Sequence, residues 1–308
     1  MEYKHIPVLL NETIDGLNVK EDGIYVDATL GRGGHSSEVL KKLKTGHLYC
    51  FDQDKQAIEE SKERLESISN KFTLINTNFE NLKSSLNQLG INKIDGIMFD
   101  LGVSSAQFDE QDRGFSYRYD ARLDMRMNQE SKLSAYDVVN FYSLNDLTRI
   151  LREYGEEPFA YQIAKKIVKI RENKPIETTF QLVDVIKSVL PQKVLKKIGH
   201  PAKQTFQAIR IEVNRELEVL QTSLKDACEM LNSKGRVAVI TFNSLEDRIV
   251  KKYFASLTKE EQTSRYLPSL NKEIEYILIN KKVIVASEEE LEKNNRSKPA
   301  KLRIIERK

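Results

Sequence analysis

Residues 27–35 read Asp27-Ala28-Thr29-Leu30-Gly31-Arg32-Gly33-Gly34-His35, and this stretch decides the fold. An apolar run, Ile24-Tyr25-Val26, precedes it, and a helix-like run over 36–43 follows. The pattern is strand, glycine loop, helix. Glycines there let the backbone turn sharply and come close to a ligand, where a Cβ would clash. A second apolar run over 47–51 ends at Asp52. An acid about 20 residues beyond such a loop suits the two hydroxyls of a ribose. The first part of the chain is therefore expected to hold an adenosine-containing cofactor.

Two cofactor classes compete. A nicotinamide fingerprint has a third glycine for helix packing, and here that position is Ser36. The stretch also opens with an acid, Asp27, at the strand's end. A carboxylate there would repel a pyrophosphate, whereas it suits the sulfonium and amino group of S-adenosylmethionine. That cofactor is the preferred reading. NAD, and an ordinary strand-to-helix turn, are the competing ones.

Composition narrows the class. The chain has 308 residues, 40% hydrophobic and 31% charged, as in soluble globular proteins. There is no apolar run near the ~20 residues of a membrane span, and the first residues have no signal-peptide pattern. A cytoplasmic protein without membrane contact is expected. Cys50 and Cys228 fall in apolar runs and read as small core residues. His5, His35, His47 and His200 show no metal-ligand spacing, so no metal is expected. The net charge of +3 is small, but it is unevenly spread. Residues 165–203 carry ten Lys/Arg against three acids, and 291–308 carry seven against two. Such segments suit either a phosphate-binding face or a solvated lysine-rich surface.

Organisation follows from periodicity. Candidate strands at 24–26, 48–51, 72–76 and 94–99 alternate with helices at 36–44 and 55–68, which predicts an α/β fold with a parallel sheet. Asp27, Asp52, Asn78-Phe79 and Asp100 then fall at strand ends, where such sheets bind ligands. Residues 107–128 are polar, aromatic and arginine-rich, and 134–195 are helical in texture. The α/β pattern returns with a long helix over 206–231, a buried strand over 236–242, a helix over 245–254 and a closing hairpin of 275–279 with 282–286. The basic tail, 293–308, is expected to be exposed. The expected division is a core of 1–106 and 204–308 with a mostly helical insert, 107–203.

Several stretches together resemble the MraW/RsmH family of 16S ribosomal RNA cytosine-N4 methyltransferases. They are His5-Ile-Pro-Val-Leu-Leu-Asn-Glu, residues 27–35, Asp95-Gly-Ile-Met-Phe-Asp-Leu-Gly-Val-Ser-Ser, Arg113-Gly-Phe-Ser-Tyr and Leu123-Asp-Met-Arg-Met. Tyr154-Gly-Glu-Glu, His200-Pro-Ala-Lys-Gln-Thr-Phe-Gln-Ala-Ile-Arg-Ile, Thr241-Phe-Asn-Ser-Leu-Glu-Asp-Arg and Ala300-Lys-Leu-Arg complete the match, nearly end to end. The resemblance implies a Rossmann-like class I S-adenosylmethionine-dependent methyltransferase sheet with an inserted helical domain. It implies a cytosine of the decoding centre, in the small ribosomal subunit, as substrate. Its cofactor contacts fall on Gly33, Gly34, His35, Asp52, Phe79, Asp100 and Gln107. The chain departs from the family at Asn243, where a histidine is usual, and in the short 266–272 segment before the last hairpin. Monomer and homodimer both remain open.

The reaction sets demands on residues. A cytosine amine is a poor nucleophile because its lone pair is delocalised into the ring. Hydrogen-bond acceptors on its N–H groups, and positioning in line with the methyl group, localise and aim that lone pair. Asp100 is the candidate acceptor, or else a cofactor ligand, with a turn-capping aspartate as the bland alternative. Asn243 and Ser244 are expected at the same edge, either on the target base or as a helix cap with Asp247. Arg113, Phe115, Tyr117 and Arg118 suit a lid that grips an unpaired base, or a linker whose aromatics simply pack. Lys203 and Arg210 are further phosphate candidates. The competing function is a catalytically impaired RNA-binding or ribosome assembly factor, since asparagine cannot take a proton near neutral pH.

Overall fold

The computed structural model describes residues 6–103, 107–108, 110–196, 199–259 and 274–308. His5, Ser104, Ser105, Ala106, Lys197 and the 266–272 segment lie outside the described residues.

The short apolar runs form the strands β1 (Ile24–Asp27), β2 (His47–Asp52), β3 (Phe72–Asn76), β4 (Ile94–Asp100), β5 (Leu231–Thr241), β6 (Tyr276–Leu278) and β7 (Lys301–Arg307). They make one seven-stranded sheet in the order β3-β2-β1-β4-β5-β7-β6. β1 to β5 run parallel, and β7 lies antiparallel between β5 and β6. The order reverses beside β1, so β1 and β4 flank the switch point where open sheets bind ligands.

Each strand buries what its sequence supplies. Val26, Phe51, Ile97, Phe99, Val237 and Val239 join one apolar cluster, with Leu220, Leu224 and Ala227 of the helix Glu216–Met230. Those helical positions recur at the spacing of one helix face. Tyr25, Leu48, Cys50, Met98, Ala238 and Ile240 meet Val39 and Leu40 of the helix Gly34–Lys42 in a second cluster. Cys50 and Cys228 are both buried free thiols.

The chain divides into two compact units, Met1–Gly102 with Leu217–Lys308, and Val103–Glu216. The second is helical, with helices Ala135–Phe141, Leu144–Glu153, Ala160–Arg171, Thr179–Val189, Gln192–Leu195 and Lys203–Asn214. The last of these differs from expectation. The single helix expected over 206–231 breaks at Arg215, which adopts a left-handed φ of 51°. Phe206, Ala208, Ile209 and Val213 then pack into the second unit's core instead of the sheet's. A periodicity that runs through the break conceals it, because both halves are amphipathic.

The closing strands also correct the sequence reading. Residues 282–286 form no strand; Ile284 makes one isolated bridge, to Leu302. The antiparallel partner of β6 is β7, inside the tail expected to be exposed. Leu302, Ile304 and Ile305 are no more than 2% exposed. The charges between and after them are paired: Arg303 with Asp247 at 2.7 Å, Arg307 with Glu275 at 3.1 Å and Glu306 with Arg236 at 2.8 Å. Reading this segment by its charge count hid the apolar residues that sit between the charges.

Candidate active site

The glycine loop is built around Asp27. Its carboxylate is 2% exposed and accepts the Thr29 N–H at 3.0 Å and the Ser36 hydroxyl at 2.6 Å. Ser36 thus has a purpose a third glycine could not serve: its Oγ holds the buried acid. Gly33 caps the helix Gly34–Lys42 with φ of 71°, a left-handed conformation that favours glycine. At Gly34 a Cβ would stand 2.4 Å from Pro7 Cγ, so a side chain there would displace the N-terminal segment.

Asp52, at the end of β2, accepts the Gly31 N–H at 2.9 Å and the Asp54 N–H at 2.8 Å. It therefore fixes the loop's shape, and its remaining lone pairs stay available to a diol. Burial pushes both Asp27 and Asp52 up to about 6, against the opposing pull of those hydrogen bonds. Phe79 follows β3, partly buried, in a short turn capped by Asn78. Its ring meets Phe99 edge to face at 5.6 Å.

Asp100 ends β4. Its N–H donates to Thr29 Oγ1 at 2.7 Å, which ties the strand end to the glycine loop. Its Oδ2 lies 3.7 Å from His35 Nδ1. His35 is 7% exposed and its Nε2 lies 3.0 Å from the Val8 carbonyl oxygen, so Nε2 carries the proton of that bond. Among the described residues, Asp100 Oδ1 is buried with no hydrogen-bond partner. Burial first, then the charges of Asp27 and Glu246, push Asp100 up to about 8. A buried acceptor without a donor is unfavourable by about 1–3 kcal/mol. This edge therefore suits a ligand that brings N–H donors and positive charge, such as an ammonium and a sulfonium.

Asn243 and Ser244 follow β5, and here the capping alternative holds in a different register. Asn243, not Ser244, caps the helix Ser244–Thr258, and its box partner is Glu246, not Asp247. Asn243 Oδ1 accepts the N–H groups of Leu245 at 3.0 Å and Glu246 at 2.9 Å. Glu246 was not singled out in the sequence, although an acid three residues after Asn243 was the available signal. Asp247 turns instead to Arg303 and Lys301. Ser244 is exposed in the first turn.

The other sequence candidates belong to the second unit. Gln107 is 6% exposed. Arg113 is also 6% exposed, and donates to the carbonyls of Arg126 and Met127, each at 3.1 Å. Phe115 lies in that unit's apolar core, beside Leu123 and Met125. An exposed gripping lid built on Arg113 and Phe115 is thus replaced by a packed loop. Arg126 is held by Asp124 at 2.7 Å, and Arg210 by both oxygens of Glu216 at 2.8 Å. Tyr117 is partly exposed, and Arg118 and Lys203 are exposed.

The sheet order with its antiparallel seventh strand, and a glycine loop with strand-end acids, define the Rossmann-like fold of class I methyltransferases. The chain belongs to the MraW methylase family, whose model matches residues 2–308. It is 55% identical over 311 residues to the ribosomal RNA small subunit methyltransferase H of Spiroplasma kunkelii, covering 100% of this chain and 99% of the relative. Its identity to the protein of that name from Exiguobacterium sibiricum is 54%, over 99% of this chain and 98% of the relative. Among solved structures, an rRNA methylase from Streptococcus thermophilus aligns at 14% identity and TM-score 0.40, over 98% of each chain.

Proposed function

We propose that the protein transfers a methyl group from S-adenosylmethionine to the N4 amine of a decoding-centre cytosine in 16S ribosomal RNA of the small subunit. The observation that carries this reading is the carboxylate-lined edge at Asp27, Asp52 and Asp100, where one buried Asp100 oxygen has no donor among the described residues. The full-length relatives, each called a small subunit ribosomal RNA methyltransferase, support the substrate class. The cytosine, its N4 position and the decoding centre rest on the sequence motifs.

S-adenosylmethionine, when bound, supplies an electrophilic methyl group on a cationic sulfur. Gly33, Gly34 and His35 line the loop that would receive its amino-acid part, Asp52 its ribose and Phe79 its adenine. The family resemblance adds Gln107 to these residues. Asp100 accepts a hydrogen bond from the cytosine amine, which localises the nitrogen lone pair, and then holds the proton that the amine loses. Without a ligand, burial raises Asp100 to about 8 and keeps it largely protonated at neutral pH; a cationic sulfonium beside it would favour the carboxylate, the form that can take the amine's proton. In the second unit, the partly exposed Tyr117 and the exposed Arg118 and Lys203 are the RNA contacts of this reading.

Asn243 supports the second reading, a binding factor without turnover, because its amide takes no proton. Its capping role weighs against that reading, since a residue occupied with the Leu245 and Glu246 N–H groups needs no proton chemistry. The test is transfer of labelled methyl from S-adenosylmethionine to small subunits lacking decoding-centre methylation, with nucleoside analysis. N4-methylcytidine is the expected product. Cofactor binding with no labelled nucleoside would establish the binding factor instead.

A further inference from the structure

A stacked pair of rings in the helical unit gives the RNA contact at Tyr117 a specific form. Tyr117 and His200 stack almost coplanar, with ring centroids 4.1 Å apart and an interplanar angle of 8°. Phe206 meets Tyr117 edge-on at 5.6 Å and holds it in place. With one face covered by Tyr117, His200 shows solvent its other face or its edge, and it is partly exposed. Its Nδ1 accepts the Ala202 N–H at 3.3 Å, so Nε2 carries the proton of the neutral ring. Burial first, then the charges of Lys187 and Arg118, both exposed, hold the His200 ring below the ordinary histidine value.

We propose that Tyr117, His200, Arg118 and Lys187 form a platform for an unpaired nucleotide of the RNA substrate, with its base on the stacked rings and its phosphate on the two cations. The inference rests on the RNA-methylating reading and adds where a flanking nucleotide is held. Two cations beside a stacked ring pair offer both things a single-stranded nucleotide needs, charge for the backbone and a π-face for the base. An acidic protein would use the charges and leave the rings idle. Because Phe206 already orders Tyr117, little side-chain entropy is lost on binding.

The test uses the full-length protein and a cytidine oligonucleotide of about eight residues, within the usual span of single-strand sites. Arg118→Ala with Lys187→Ala, both exposed, should weaken binding about tenfold. The double variant should also flatten the salt dependence by about 1.4 in log–log slope. It should leave S-adenosylmethionine affinity unchanged. His200→Phe, which keeps a ring without the nitrogens, should bind within about threefold of the parent, since stacking tolerates either ring. The His200 ring protons should titrate at higher pH once the oligonucleotide is bound, because phosphates neutralise Arg118 and Lys187. Binding unchanged in the double variant, or a parent protein that does not bind the oligonucleotide, overturns the platform. Methyl transfer to small subunits reports separately. Transfer with unaltered binding keeps the reaction and removes the platform, whereas platform-dependent binding without transfer does the reverse.

Discussion

The carboxyl edge of the sheet and the arginine-rich loop of the second unit both carry dense charge, and they treat it in opposite ways. Among the described residues, Asp27, Asp52 and Asp100 have backbone N–H groups, a serine hydroxyl and a histidine for company, and no lysine or arginine. Burial raises their pKa values, against the pull of the hydrogen bonds on Asp27 and Asp52 and with no cation to offset it. In the loop, Arg113 is sunk among carbonyls, while Arg126 is clasped by Asp124, whose own pKa is pulled down by that guanidinium against the cost of burial. Charge held without a countercharge is a sign of a ligand to come. Charge neutralised inside its own loop is part of the scaffold.

Four substitutions probe that contrast. Asp100→Asn should lower methyl transfer by about 100-fold or more, the usual scale of a lost acid–base group. Single-turnover transfer to hypomethylated subunits, beside calorimetric cofactor binding, measures it. A variant within fivefold of the parent would reduce Asp100 to a bystander. Arg113→Ala should destabilise the protein by about 3 kcal/mol, as expected when a buried charged group leaves its carbonyl partners unpaired. Urea unfolding reads this. A stable variant that loses only RNA affinity would return Arg113 to the substrate face and erase the contrast.

The third prediction concerns pH. An acid lifted from 3.8 to about 8 binds its proton more tightly in the folded than in the unfolded state. Stability from this group is therefore full below the unfolded value and falls as pH rises from about 4 towards 8. Asp100→Asn should melt above the parent at about pH 8.5, and the gap should close as pH falls to about 4. An equal gap at both ends would mean the carboxylate is not strained by its neighbours. The smallest effect belongs to Asn243→Ala, which removes a cap and should cost about 1 kcal/mol. Asn243→His should leave transfer near the parent's level if capping is the residue's whole role. A large gain would instead mark this position as the proton acceptor.

The strand ends were legible because a run of apolar residues stopped by an acid has few other meanings. β3 falls on the expected 72–76, β1 and β4 run one residue further at their carboxyl ends, and β2 runs one residue further at each end. The site's acids followed from those ends. Ser36 looked like a defect in a glycine fingerprint until its hydroxyl was seen on Asp27. Arg113 and Phe115 looked like a gripping surface because charge and aromaticity are the same letters whether buried or exposed. The platform at Tyr117 needed His200, which lies far along the chain and carries no local signal beyond its own letter.

By itself, then, the order of residues determined the parallel sheet, the glycine loop and the acids at its edge, because periodicity and turn chemistry act over a few neighbours. Only the tertiary structure decided that β7 enters the sheet, that the helix breaks at Arg215, and that one Asp100 oxygen has no partner among the described residues. Those outcomes depend on burial and on partners distant in sequence: Leu302 gains from lying beside Ile240, and Asp100 is raised by Asp27 and Glu246. Desolvation and long-range charge belong to the assembled fold, and no local pattern encodes them.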